Sequence, residues 1–76
     1  MKDFIEYIVR NLVDIPESVD IRCLQTDGRV TVELRVAPED VGKVIGRKGI
    51  IINAIRIISE TLCARFGCKV NVELVE

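Results

Sequence analysis

The sequence predicts an α+β sandwich, three helices laid on one face of a three-stranded sheet, and three observations predict it. Apolar residues recur at helical spacing, then at every second position, then helically again, and finally at every second position. Asp27-Gly28 splits the first alternating stretch into two strands, because both residues tolerate positive φ. Gly46 and Gly49, three apart, split the second helical stretch. The order is therefore α-β-β-α-α-β, a single domain over residues 1–76 without repeats, linkers or low-complexity stretches.

Phe4, Ile5, Ile8, Val9 and Leu12 define an amphipathic first helix, with Lys2, Asp3, Glu6, Arg10 and Asn11 opposite. Pro16 closes it by driving Ile15 out of helical geometry. Val19, Ile21 and Cys23 alternate with polar neighbours, as do Val30, Val32, Leu34 and Val36, which reads as a hairpin whose loop length Gln25 and Thr26 leave open. Pro38-Glu39-Asp40 opens a short helix, with two acids at the positive end of its dipole. It carries Val41, Val44 and Ile45 inward and stops at Gly46. A longer helix follows from Ile50 to Phe66, with Ile51, Ile55, Ile58 and Leu62 as its inward stripe and Gly67 as its cap. Val70, Val72 and Leu74 make the third strand. A sheet with one apolar face needs all three helices on that face.

Composition narrows the function classes. A chain of 76 residues has room for one core and one site. At that size folding buries only about 60% of the unfolded chain's surface, so almost every apolar position must be used. Apolar residues are 49% of the chain, yet no run approaches the roughly 20 that a membrane span needs. Acidic residues interrupt the first amphipathic segment, unlike a secretory signal, and a cytoplasmic location is expected. Cys23, Cys63 and Cys68 are odd in number, have no CxxC spacing and find no histidine to complete a zinc site. They read as small hydrophobes in a reducing compartment, and neither metal nor cofactor is expected. No histidine, and no Ser or Cys in a nucleophile motif, leaves an enzyme without its usual parts. Eleven Lys plus Arg against twelve Asp plus Glu give a net charge of −1, so any cationic surface must be local.

That surface is predicted at Val44-Ile45-Gly46-Arg47-Lys48-Gly49-Ile50-Ile51-Ile52. Without side chains at Gly46 and Gly49, a nucleic-acid backbone can approach the turn, and Arg47 and Lys48 form its tip. Free N–H groups at the start of the helix from Ile50 would add to an anion site, with phosphate as the natural ligand. Ile45 and Ile52 are the expected floor of a groove for unstacked bases.

The stretch resembles the KH-domain pattern of an aliphatic residue, Ile-Gly-x-x-Gly and a further aliphatic, and the element order is that of a type II KH domain. The likeness covers essentially the whole chain. Its length, the start Phe4 to Val13, Ala37 to Gly49, and Ala54-Ile55-Arg56 resemble the KhpA-like family of small bacterial single-KH-domain proteins. The resemblance implies broad binding of single-stranded RNA, in post-transcriptional control or as an RNA chaperone. It also implies self-association as a homodimer, and pairing with a larger KH-containing protein of the KhpB, Jag or EloR kind, linked to cell elongation and division. Many relatives carry a basic residue directly after the second glycine and another three positions later, where this chain has Ile50 and Asn53.

Each functional reading has a plainer rival. The Gly46–Gly49 turn could be only a tight corner between packed helices. Lys43 could screen an RNA backbone or merely solvate its helix, and Arg56 could reach RNA or pair with Glu60 four residues on. Six isoleucines between Ile50 and Ile58 exceed one buried stripe, so Ile50, Ile57 or both are candidates for a dimer contact.

Overall fold

A computed structural model describes residues 2–75. Helix α1 (Lys2–Leu12) leads through a 3-10 turn at Pro16–Ser18 into β1 (Asp20–Thr26) and β2 (Arg29–Arg35). A second 3-10 turn, Pro38–Asp40, opens α2 (Val41–Ile45); a third, Arg47–Gly49, joins it to α3 (Ile50–Ala64), and β3 (Lys69–Leu74) follows. The predicted order stands.

Asp27 at φ +46° and Gly28 at φ +76° close the hairpin with Thr26 opposite Arg29, so the loop is the two-residue kind that an Asp-Gly pair favours. The sheet order is β1-β2-β3, antiparallel in the first pair and parallel in the second. The parallel pair requires α2 and α3 to cross over the sheet, and this crossover puts the glycine turn at one end of it. Ile21, Val32, Leu34 and Val72 meet Ile5 and Val9 of α1, Val44 of α2, and Ile52 and Ile55 of α3 in the core.

The phase of α3 differs from the expected one. Ile52, Ile55, Ser59 and Cys63 are buried, whereas Ile58 of the expected stripe is 40% exposed. A left-handed Gly49 precedes the helix, and Ser59 is tolerated inside because its Oγ donates to Ile55 O at 2.7 Å. The helix also ends at Ala64, two residues before Phe66. The cysteines are not three separate hydrophobes: Cys63 and Cys68 are joined as a disulfide, and Cys23 is free and exposed. The reversal of the chain after α3 brings the two together across a Cα separation of 5.2 Å.

Asp40 fixes the corner from which α2 starts. Its acidic side chain was expected to face the dipole of its own helix, yet it reaches back to the exit of α1. The carboxylate is fully buried and accepts from Asp14 N–H at 3.1 Å and Ile15 N–H at 3.0 Å. Pro16 leaves Ile15 at φ −121°, ψ 73°, outside any helix, so these two amides need an acceptor from elsewhere.

Candidate nucleic-acid interface

The turn between α2 and α3 is held by its own backbone. Gly46 lies at φ +76°, ψ 175°, a region open essentially to glycine alone, and Gly49 is left-handed at φ +77°, ψ 15°. A methyl group at Gly46 would meet Ile51 Cγ1 at 2.7 Å, so Ile51 lies directly over the glycine. Lys48 is itself left-handed, at φ 56° and ψ 24°, a conformation that costs a non-glycine residue roughly 1–2 kcal/mol. Its side chain and that of Arg47 are exposed, and among the described residues neither meets a carboxylate.

The donors expected from the start of α3 are partly spent. Gly49 N–H donates to Gly46 O at 3.2 Å, and Ile50 N–H to Arg47 O. The turn closes on itself and presents its two cations more than its amides.

Lys43 belongs to an ion-pair network at the start of α2. Its ammonium lies 2.7 Å from Asp14 Oδ2 and 3.4 Å from Asp40 Oδ1, so it is neither a free cation nor simply solvated. Burial, the largest single influence on Asp40, acts to raise its carboxyl, but the two amide donors and Lys43 together outweigh it and hold the group below its ordinary value. The bond to Asp14, followed by that to Asp40, holds Lys43 above the usual lysine value.

Of its two expected roles, Arg56 does not take the pairing with Glu60. It bridges α3 and the edge strand, with Nε 3.2 Å from Val72 O and Nη1 3.4 Å from Asn53 Oδ1. Asn53 also sits beneath Gly49, its Nδ2 3.7 Å from where a Cβ would be. Ile45 is half-buried and offers surface, but Ile52 is only 5% exposed and belongs to the core, because the turn directs it inward. Ile50 and Ile57 are 64% and 62% exposed.

Sequence reasoning missed the part played by β3. As the edge strand, it bonds to β2 on one side only. Lys69 N–H reaches Gly28 O and Val75 N–H reaches Leu34 O, so the odd-numbered residues face β2. Alternation then turns the main-chain groups of Val70, Val72 and Leu74 outward beside α3. Because α3 and β3 run in opposite directions, Lys69 lies at the far end of this track, where it lines one hollow with Glu60, Ala64 and Val70 and another with Arg29 and Asn71. The parallel pairing of β3 with β2, which no local pattern encodes, is what brings Arg29 beside Lys69.

A helix, a GxxG turn and a second helix inside an α-β-β-α-α-β sandwich with an exposed edge strand define a type II KH domain. A family-level match described as "KhpA/KhpB, KH domain" spans residues 2–74. The protein named RNA-binding protein KhpA in Chlamydia caviae is 45% identical over 76 residues, covering all of this chain and 97% of that one. Those of the same name in Chlamydia trachomatis and Clostridium perfringens are 43% and 40% identical, over 100% and 99% of this chain and 97% and 100% of theirs. The chain belongs to the KhpA/KhpB KH-domain family. Its relatives are named for binding RNA. No helix among the described residues is long and apolar enough to cross a membrane.

Proposed function

We propose that this chain binds single-stranded RNA across the Gly46–Gly49 turn, in the cytoplasm, as an RNA chaperone or post-transcriptional regulator of broad specificity. The observation that carries this reading is the Arg47–Lys48 tip: two exposed cations without carboxylate partners among the described residues, on a turn whose glycines keep the approach clear. Arg47 and Lys48 hold phosphate, Gly46 and Gly49 admit the backbone, Ile45 supports a base, and Arg56 lies alongside the strand. The outward main-chain groups of Val70 and Leu74, with the N–H of Val72, supply donors and acceptors for base edges, while Val72 O is taken by Arg56. Contacts of this kind, to phosphate and from backbone, discriminate weakly among sequences. The names of the relatives support the same ligand.

With Arg47, Lys48 and Arg56 as the cations near RNA, the logarithm of the association constant should fall with the logarithm of salt at a slope of about −2. Fluorescence anisotropy of a labelled mixed-sequence RNA across a salt series reads this directly. A slope of about −3.5 would place Lys69 and Arg29 in the site as well.

The exposure of Ile50 and Ile57, seven residues apart and so on one side of α3, favours a second role for the same domain. They form a contact with a second copy or with a larger KH-containing partner. The variant Ile57→Asp should shift the size-exclusion mass toward the monomer and remove its dependence on concentration. An unchanged elution profile would remove Ile57 from any dimer contact.

A further inference from the structure

The end of α3 carries a device that RNA binding does not use. Cys68 N–H donates to Cys63 O at 3.2 Å, Gly67 N–H donates to Ala64 O at 3.2 Å, and Gly67 is left-handed at φ +70°. This is the hydrogen-bond pattern of a Schellman cap, in which the residue two beyond the helix end folds back onto the last turn. Those positions usually hold an apolar contact; here they hold Cys68 and Cys63, with Cα atoms 5.2 Å apart, within the reach of a disulfide. The main chain therefore brings the two sulfurs together whether or not they are bonded.

We propose that Cys63 and Cys68 are a reversible dithiol–disulfide site that exchanges with low-molecular-weight disulfides and thiols, stapling and releasing the α3–β3 corner without reshaping it. Cys68 is half-buried and open to a reagent, while Cys63 is only 1% exposed. In closure the Cys68 thiolate attacks one sulfur of a small disulfide RSSR, and the RS–SR bond breaks as RS⁻ leaves. The Cys63 thiolate then attacks the Cys68 sulfur and expels the second RS⁻. Two protein thiols are oxidised, one RSSR is reduced to two RSH, and the protons given up by the cysteines go to the leaving thiolates. Opening is the reverse, with an incoming thiolate attacking Cys68. Pairs of this kind in reducing compartments are usually transient.

Cys23 lines the same hollow as Leu62, Cys63, Phe66 and Cys68, and is the rival nucleophile. The test equilibrates the native chain and Cys23→Ser in glutathione buffers of graded poise, followed by acid quench, alkylation, peptide mapping and thermal melts. Both proteins should pass in one step from two alkylated partners at Cys63 and Cys68 to a linked Cys63–Cys68 peptide. The closed form should melt about 10 °C above the open one, as expected for a short cross-linked loop in a small domain. Persistent glutathione on Cys68, a link through Cys23 or to a second chain, or melts that coincide would each overturn the proposal. A second variant, Gly67→Ala, keeps every cysteine but disfavours the left-handed corner. A chain relieved of its cap must rebuild it to close, so the closing equilibrium should fall about fivefold or more. No change would show that the cap does not assemble the pair.

Discussion

Replacing Gly46 with alanine should lower stability by about 3 kcal/mol, or about 15 °C in Tm, without changing the length or charge of the turn. Two causes add. The backbone at φ +76°, ψ 175° excludes side chains whatever space surrounds it, and the new methyl would sit 2.7 Å from Ile51 Cγ1 and 3.0 Å from its Cβ. Ile51 has little room to retreat, being on the first turn of α3 beside the buried Ile52. Gly42→Ala is the matched control, since Gly42 lies inside α2 with nothing within 4 Å of its would-be Cβ. It should be neutral or gain up to about 1 kcal/mol from helix propensity. If both variants melt with the native chain, the turn is not held as described, and the close approach assigned to Gly46 fails.

Asp40→Ala should be comparably damaging, with a fall in Tm of more than about 10 °C, because it strands two amides that end on its carboxylate. Asp14 N–H and Ile15 N–H both end on the Asp40 carboxylate, and Lys43 would keep only its exposed partner, Asp14. The effect has a signature in pH. Asp40 is held below the ordinary value of 3.8, so the unfolded chain takes up the proton first. Its stabilising contribution is complete above that value and is lost as pH falls through it. Lys43, held above 10.5, contributes fully below that value and fades only as pH rises beyond it. Melts recorded from acid to neutral pH should therefore show an acid limb in the native chain that is much flatter in Asp40→Asn. An identical limb in both would remove Asp40 as its cause.

Those two residues also mark how far the sequence could be read. Asp27-Gly28, Pro38, the Gly46–Gly49 turn and the Gly67 cap were legible because each demands a backbone conformation that only certain residues adopt easily. The strand alternation was legible because burial on one sheet face leaves a period of two. Partnerships across the fold were not. Asp40 and Lys43 look like a helix start and a surface cation, and only the return of the chain past Asp14 and Ile15 makes them one network around a buried carboxylate. Arg56 has Glu60 at the right spacing on its own helix, yet it meets Val72, because α3 lies along β3. The phase of α3 escapes the pattern for a related reason: aliphatic residues draw the stripe, while Ser59 and Cys63 point inward together with Ile52 and Ile55. In the candidate site, the glycines and the two tip cations could be placed from sequence. The edge strand beside them required the parallel pairing of β2 with β3.

On the proposed reading, the Arg47–Lys48 tip is the RNA clamp. The most direct test is the binding of a fluorescent mixed-sequence single-stranded RNA by the native chain and by a variant carrying Arg47→Asp and Lys48→Asp, with folding followed by circular dichroism. Aspartate suits position 48 because it tolerates the left-handed backbone found there, so the substitution changes charge more than shape. The variant should stay folded and bind at least about tenfold more weakly, with a flatter salt dependence. Equal binding by the two proteins would contradict it and place the RNA elsewhere on the chain.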